Sequence, residues 1–179
     1  GFYDGINITD QVKSIFKDIP SEEELIRNRT KINSVDKVAE SYQESLQYPS
    51  LNIRGLQSGW VGSQVRTIIP STAQAEIDVR LVLESNPLRL VNLIKNHIES
   101  LGYKILNDEP NDNQRLSNNK LVKMNYKISY PAFRTPINAK EGKWLKNILF
   151  NNFKVNPVLI RTSGGSVPIS PFVNNLGIP

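Results

Sequence analysis

The sequence predicts an α+β unit up to about residue 133 and a shorter α/β segment over 134–179. Three patterns support this fold class. Apolar and polar residues alternate over 73–82, which is the period of a strand with one packed face. Apolar residues at helical spacing follow over 87–101. A continuously apolar run at 158–160 is typical of a buried central strand and belongs to the α/β part.

Composition excludes several classes of protein. The 179 residues are 39% apolar, enough for a packed core, and no apolar run approaches the roughly 20 residues of a membrane span. The chain has no cysteine, which excludes thiolate catalysis, and one histidine, which excludes a histidine-rich metal site. Its 22 lysines and arginines are scattered, so we expect no nucleic-acid partner despite the net charge of +5. We expect a soluble protein, cytoplasmic rather than secreted, with no membrane partner.

The first part of the chain predicts three short helices joined by polar turns. Thr9 or Asp10 can cap the first helix. Ser21 and Glu24 have the spacing of a capping box, which predicts the start of the second helix. Apolar residues at helical spacing predict the third helix over 35–46.

The middle of the chain predicts several strands around one long helix. Asn86 and Pro87 supply a cap and a first-turn proline for that helix, and Gly102 can end it in a left-handed conformation. Residues 107–120 are polar and predict a solvated loop. The predicted strands cover 51–58, 73–82, 103–106 and 122–128.

The last part of the chain predicts a helix, a strand and a glycine-rich turn. Pro131 and Pro136 bracket a stiff connector, and Asn138 can cap the helix that follows it. The strand predicted at 158–160 runs directly into the sequence TSGGSVP at 162–168.

Arg80 is the first candidate for a binding role. It lies at the end of the alternating strand, on its polar face. One interpretation is an ion pair with Glu76 or Asp78 on the same face. The other is an anion clamp, because a guanidinium can bind a carboxylate through two parallel hydrogen bonds. The pattern alone leaves both interpretations open.

The turn at Gly164, Gly165 and Ser166 is the second candidate. Paired glycines let a ligand approach the backbone, and a helix starting here would present free amides to an anion. The alternative is a plain turn between a strand and a helix. The turn lacks the Gly-Lys-Ser/Thr of a phosphate-binding loop and the Gly-x-Ser-x-Gly of a serine nucleophile. From pattern alone, Thr67 is an ordinary strand residue and His97 a half-exposed helix residue.

Four stretches of the chain carry a family resemblance. They are PSLNIRGL at 49–56, RTIIP at 66–70 leading to DVRLV at 78–82, YPAFRTP at 130–136 and TSGGSVP at 162–168. In order and spacing they resemble the metal-dependent dipeptidases related to carnosinase, within the aminoacylase, carboxypeptidase and desuccinylase superfamily of zinc exopeptidases. The opening GFYD is also similar to a loop of bacterial members. The resemblance covers nearly the whole chain.

The resemblance implies a fragment of a two-domain enzyme. In that family a lid domain is inserted into the catalytic domain, forms the dimer and closes over the substrate. The lid is an antiparallel sheet with two helices on one face, a ferredoxin-like arrangement. Residues 1–133 would be the later part of the lid, with a helical connector over 1–48 and the sheet and helix over 49–133. Residues 134–179 would be part of the catalytic domain.

The resemblance also implies metal-dependent hydrolysis of a bond next to a free carboxylate. The family binds two metal ions, usually zinc, through histidines and carboxylates that would lie outside these residues. We therefore expect this chain alone to be inactive, with no catalytic residue and no metal ligand of its own. By resemblance, Arg80 and Thr67 on the lid side and Gly165 and Ser166 on the catalytic side bind the substrate.

The expected partners are a dipeptide or acylated amino acid substrate and a second copy of the protein, bound through the lid. The alternative is a non-catalytic α+β module that dimerises or senses a ligand. A His-x-Asp metal motif in a longer form of the protein would favour the enzyme, whereas a native chain that begins near Gly1 would favour the module.

Overall fold

The computed structural model describes residues 1–165 and 167–178. Helices and strands both occur in this part of the chain, which confirms the mixed fold class. The α-helices are α1 Asp10–Lys17, α2 Glu23–Thr30, α3 Tyr42–Ser45, α4 Pro87–Ser100, α5 Asp112–Ser117, α6 Lys140–Phe153 and α7 Ser170–Leu176. The strands are β1 Ser50–Ser58, β2 Ala73–Arg80, β3 Lys104–Leu106 and β4 Leu121–Lys123.

The described strands form two separate two-stranded sheets. Strands β1 and β2 pair antiparallel as a hairpin, with Ser50 opposite Arg80 at the open end and Ser58 opposite Ala73 at the closed end. Strands β3 and β4 pair parallel, and α4 contacts β3. The predicted antiparallel sheet is therefore present as the hairpin, whose two strands begin and end within two residues of the predicted bounds.

A β-bulge decides which side chains of the hairpin share a face. The register shifts between Ile53 and Gly55, so that β1 has one extra residue there. Because side chains alternate along a strand, Leu56 would otherwise lie on the face opposite Ile53. The bulge returns Leu56 to that face, which is apolar. The apolar face consists of Leu51, Ile53, Leu56, Ala73, Ala75, Ile77 and Val79.

The apolar face of the hairpin is largely exposed in this chain. Leu56 is 76% exposed, Ile53 is 62% exposed, and Leu51 and Ile77 are each 42% exposed. The alternating pattern correctly predicted an apolar and a polar face. The prediction that the apolar face is packed is wrong for the chain by itself.

The N-terminal loop is bound to the first turn of α4. Asn86 caps this helix by accepting the backbone N–H of Arg89 at 3.0 Å, and Pro87 is its first residue, as predicted. The Arg89 guanidinium donates to the carbonyl oxygens of Gly1 at 2.8 Å and Asp4 at 3.0 Å. These hydrogen bonds join segments more than 80 residues apart in sequence.

The third predicted helix is much shorter than its apolar spacing suggested, since only α3 is helical within 35–46. Ser41 caps α3 in an extended conformation and accepts the N–H of Glu44 at 3.1 Å. The Ser45 hydroxyl accepts the N–H groups of Val38 and Ala39, both at 3.2 Å. Serine side chains thus satisfy backbone donors that a longer helix would have paired internally.

The capping box predicted for α2 is absent. Helix α2 begins at Glu23, and its cap residue Glu22 makes no side-chain cap bond. The Ser21 hydroxyl accepts the N–H of Glu23 at 3.4 Å instead of that of Glu24. The hydroxyl therefore forms a local turn before the helix.

A capping box occurs instead inside the polar segment predicted as a loop. Asn111 accepts the N–H of Gln114, and the Gln114 side chain accepts the N–H of Asn111, both at 2.9 Å. This exchange nucleates α5, so the prediction of a helix-free loop over 107–120 is wrong. Strand β4 then ends at Lys123, five residues earlier than predicted.

The structure of the C-terminal part of the chain also differs from the one that its sequence pattern predicts. Helix α6 begins at Lys140, and its cap residue is Ala139, which makes no side-chain cap bond, so the Asn138 cap is wrong. Residues 158–160 form no strand, and Val158 and Ile160 are 48% and 56% exposed. An apolar run needs a neighbouring strand to become a sheet, and the sequence gives no information about that partner.

Candidate functional site

Arg80 lies at the end of β2, with its side chain 54% exposed. Its Nε donates to a carboxylate oxygen of Asp78 at 2.5 Å. The ion pair along the strand, one of the two interpretations of the sequence, is therefore present. An exposed pair contributes little to stability, but it restricts the orientation of the guanidinium. The anion clamp stays a prediction, and Asp78 would share Arg80 with an incoming carboxylate.

Thr67 lies in the exposed segment that connects the strands of the hairpin, so its prediction as a strand residue is wrong. That segment leaves β1 at Ser58 and enters β2 at Ala73, which is the closed end of the hairpin. Strand β2 has eight residues, so about 23 Å of strand separates Ala73 from Arg80. Thr67 and Arg80 are thus carried by opposite ends of the hairpin.

Gly164 and Gly165 of the glycine turn are exposed and belong to no regular element. A Cβ added at Gly164 would lie 3.7 Å from Leu46 and 3.8 Å from the Tyr42 hydroxyl, whereas one added at Gly165 would meet nothing within 4 Å. Neither glycine has the positive φ that favours this residue. Open space beside Gly165 therefore leaves its backbone accessible to a ligand. Ser166 lies outside the described residues.

A set of hydrogen bonds, here called the polar junction, connects the last part of the chain to earlier segments. The fully buried Gln47 accepts from the Arg161 guanidinium at 2.7 Å and from the Thr162 hydroxyl at 3.2 Å. The fully buried Ser170 hydroxyl donates to a backbone carbonyl at 2.7 Å. The residues of the polar junction are Gln47, Glu84, Pro131, Arg134, Arg161, Thr162 and Ser170.

Glu84 and Arg134 form the ion pair of the polar junction. Two guanidinium nitrogens of Arg134 donate to the two carboxylate oxygens of Glu84, at 2.6 and 3.2 Å. Both side chains are largely shielded from solvent, with 26% of Glu84 and 16% of Arg134 exposed. Two parallel bonds in this setting restrict both groups more than a single exposed contact does.

The charges of the polar junction shift two pKa values. Burial of Glu84 acts to raise its pKa, but the hydrogen bonds and charge of Arg134, helped by the charge of Arg161, lower it below the usual value. The pKa of Arg161 is lowered first by partial burial and then by the neighbouring Arg134, against the opposing effect of Glu84. The charges of Arg134 and Arg161 thus both act on the Glu84 carboxylate.

The polar junction lies near the open end of the hairpin. Gln47 precedes Ser50 by three residues, which span at most about 11 Å, and Ser50 is paired with Arg80. The backbones of Gln47 and Arg80 therefore lie within about 16 Å of each other. Because Gln47 binds Thr162, the structure brings Arg80 and the glycine turn to one region of the molecule.

Sequence reasoning missed the residues that hold this region together. Arg134 and Thr162 lie inside two of the stretches that carry the family resemblance, which was a usable signal. No feature of the sequence marked Gln47, because a single glutamine near a helix end is typical of a solvated surface. Its partners Arg161 and Thr162 are 114 and 115 residues away.

Neither a metal site nor a membrane helix is found in the described part of the chain. Within residues 1–165 and 167–178, no three His, Cys, Asp or Glu side chains are grouped so that they could hold a metal ion. Across the same ranges, every helix is too short or too polar to span a bilayer. An open groove of about 410 Å³ lies elsewhere, lined by Gly102, Lys104 and residues 117–120.

The family of the chain follows from comparison with known proteins. The profile of the peptidase dimerisation domain matches residues 11–105, just over half of the chain. The chain belongs to this family. The matched range contains both strands of the hairpin, the whole of α4 and Arg80.

Two curated relatives are dipeptidases. Beta-Ala-His dipeptidase of Mus musculus is 26% identical over 176 residues, covering 95% of this chain and 33% of that protein. Cys-Gly metallodipeptidase DUG1 of Saccharomyces cerevisiae is 26% identical over 165 residues, covering 91% of this chain and 32% of that protein. The chain spans about a third of the length of these relatives.

Solved structures share the fold. The M20 family metallo-carboxypeptidase Sso-CP2 from Sulfolobus solfataricus matches 99% of this chain and 37% of its own, with a TM-score of 0.70 and 24% identity. Human carnosine dipeptidase 1 matches 98% of this chain and 36% of its own, with a TM-score of 0.64 and 22% identity. Together with the family match, these findings confirm the resemblance inferred from the four stretches.

Proposed function

We propose that the chain is part of a metal-dependent dipeptidase or related amidohydrolase. Residues 1–133 would form the later part of its lid, and 134–179 part of its catalytic domain. The family match over 11–105 carries this proposal. The names of the relatives, a Beta-Ala-His dipeptidase and a Cys-Gly metallodipeptidase, support a dipeptide substrate. The family description supports a homodimer formed through this domain.

We assign the metal ions, two zinc ions by the resemblance, to residues outside those described. The described residues do not fit a metal, because they bring no three ligating side chains together. A catalytic zinc site takes three protein ligands and supplies an activated water. We therefore expect the 179 residues alone to hydrolyse no dipeptide. Metal-stimulated turnover by the isolated chain that survives repurification would contradict this expectation.

The role of the described residues would be to bind the substrate. Arg80 would bind the C-terminal carboxylate through its planar guanidinium, oriented by Asp78. Gly165 and Ser166 would contact the substrate from the catalytic side, where open space beside Gly165 supports a close approach. Thr67 is the weaker candidate, because its segment has to fold back along β2 to reach the same substrate.

The proposal is tested by Arg80→Ala in the full-length protein that carries this chain. A hydrogen bond to a charged group contributes about 1.5–3 kcal/mol, so kcat/KM for unblocked dipeptides should fall roughly 10- to 150-fold. Arg80→Lys should not restore it fully, because an ammonium lacks the two-pronged geometry. The measurement is steady-state kinetics with a panel of unblocked dipeptides and their C-terminal amides.

Two variants separate the binding role from the ion pairs of the hairpin. Asp78→Asn removes the Asp78 charge but keeps Arg80, and Arg54→Ala removes an exposed arginine that lies 3.7 Å from Glu76 on the same hairpin. Both should change kcat/KM much less than Arg80→Ala. Equal losses on dipeptides and on their C-terminal amides would refute the carboxylate assignment, whereas a full-length protein that turns over none of these substrates would favour the non-catalytic alternative.

A further inference from the structure

Gln47 is among the most deeply buried polar residues of the described chain, with 1% of it exposed. It lies just after α3, and both ends of its amide are hydrogen-bonded. Its Nε2 donates to the carbonyl oxygen of Gln43 at 3.1 Å, and its Oε1 accepts from Arg161 and Thr162. A buried amide that makes three hydrogen bonds is costly to replace, because each lost partner leaves a polar group unsatisfied.

The chemistry of this position favours a neutral amide. A carboxylate could accept from Arg161 and Thr162, but it could not donate to the Gln43 carbonyl. An apolar side chain of the same length would leave two donors at 161 and 162 without their acceptor. Glutamine alone among side chains of this length supplies the donor and the acceptor together.

The bonds of Gln47 act directly on the glycine turn. Arg161 and Thr162 precede the turn with one residue between, and both donate hydrogen bonds to one buried oxygen. Leu46, the neighbour of Gln47, lies 3.7 Å from the position that a Cβ at Gly164 would take. Two adjacent residues thus hold this segment in place: Gln47 through hydrogen bonds to Arg161 and Thr162, and Leu46 through packing beside Gly164.

We propose that Gln47 is a positioning residue for substrate binding, which holds the backbone of 162–165 where Gly165 meets the substrate. The inference rests on the proposed function, since it gives Gln47 a role only if the turn binds substrate. Gln47 itself touches no substrate. Gln47 keeps the turn in one orientation before substrate binds. Binding then does not have to supply the free energy of ordering the turn.

Gln43 offers a matched control on the same segment. It is also buried, with 7% of it exposed. Its side-chain amide donates to Glu22 at 3.0 Å, whereas that of Gln47 bonds to residues 161 and 162. Its Oε1 is buried without a hydrogen-bond partner among the described residues. Replacing it with methionine therefore removes one buried glutamine without touching residues 161–165.

The test compares Gln47→Met with Gln43→Met in the full-length protein, using a panel of unblocked dipeptides. Gln47→Met should raise KM about 10-fold and change kcat less than about twofold, because it disturbs binding rather than the reacting atoms. Gln43→Met should leave KM unchanged. Equal KM values for the two variants and the parent would overturn the proposal, as would a parallel loss of kcat and melting temperature.

Thr162→Val gives a second measurement in case Gln47→Met fails to fold. It removes the hydroxyl that donates to the Gln47 oxygen but leaves Gln47 and its bond to Arg161 in place, so KM should rise about threefold. In the double variant the two effects should be less than additive, because both act on one contact. An unchanged KM in Thr162→Val, or full additivity, would contradict a shared positioning role.

Gly165→Ala distinguishes failure of this inference from failure of the proposed function. A methyl group at Gly165 meets open space, so it obstructs the substrate without disturbing the packing. If Gly165→Ala leaves KM unchanged, the turn does not bind substrate, so the substrate role of Gly165 and the positioning role of Gln47 both fail while the proposed dipeptidase activity is still decided by Arg80→Ala. If it raises KM while Gln47→Met and Thr162→Val do not, only the positioning role of Gln47 is refuted.

Discussion

The hairpin and the polar junction are stabilised by opposite means. The hairpin is held by backbone pairing along eight positions, and its large apolar side chains remain substantially exposed. The polar junction has few residues, but Gln47 and Ser170 are almost completely buried and each makes more than one side-chain hydrogen bond. A side chain of the hairpin can therefore change with little loss, whereas one in the junction cannot.

The two regions differ in how much stability is lost when a side chain is removed. Removing an exposed apolar group returns little surface to water, because most of it is already hydrated. Removing a buried hydroxyl leaves its former partners desolvated and unpaired. The comparison predicts a graded series of stability effects, with the junction at the top and the hairpin at the bottom.

The largest expected effect is that of Ser170→Ala. The Ser170 hydroxyl donates to the Pro131 carbonyl at 2.7 Å and accepts from the Asn174 amide at 3.0 Å. Its removal takes that partner from both groups at a part-buried contact whose Ser170 side is fully buried, so the free energy of unfolding should fall by about 1–3 kcal/mol. Urea unfolding followed by circular dichroism measures this change.

Ser14→Ala is the matched control for that measurement. The Ser14 hydroxyl also donates to a backbone carbonyl at 2.7 Å, that of Gln11, but in an exposed position of α1. Water can replace the lost bond there, so the change should stay within about 0.5 kcal/mol. Equal losses in the two serine variants would show that burial does not set the cost in the junction.

The two regions also differ in how far the sequence predicted them. The hairpin follows from the alternation along β2, because period two is a local property that the sequence displays directly. Arg80 could be placed on the polar face for the same reason. The contacts of the junction could not be predicted, because Arg161 and Thr162 are more than 110 residues from Gln47 and no local pattern links the two segments. Even the apolar run at 158–160 was misleading, since no strand pairs with it in the described residues.

The intermediate effect is that of Glu84→Gln, and it depends on pH. The folded pKa of Glu84 is below its ordinary value of 4.5. A lowered folded pKa contributes stability that is present above about pH 4.5 and is lost as the pH falls through the folded value. At pH 7 the substitution should therefore lower the free energy of unfolding by about 1–2 kcal/mol, through loss of the charge-assisted bonds to Arg134.

The pH dependence provides the check on Glu84. The difference between parent and variant should shrink between pH 5 and pH 3, measured by urea unfolding at each pH. Glu109→Gln is the exposed comparison, since this carboxylate is paired with Lys123 at 2.5 Å but is 72% exposed. Its effect at pH 7 should be smaller than that of Glu84→Gln. A difference for Glu84→Gln that does not change with pH would show that packing, and not the charge, accounts for it.

The smallest expected effect is that of Ile77→Thr on the apolar face of the hairpin. Threonine keeps the branched Cβ that suits a strand, so only the apolar contact is lost. Because Ile77 is 42% exposed, the free energy of unfolding of this chain should change by less than about 0.5 kcal/mol. Val82→Thr makes the same kind of change at a site that is only 8% exposed, and burying its hydroxyl should cost about 1–3 kcal/mol. If Ile77→Thr is as costly as Val82→Thr, the apolar face is packed in solution and the contrast between the two regions does not hold.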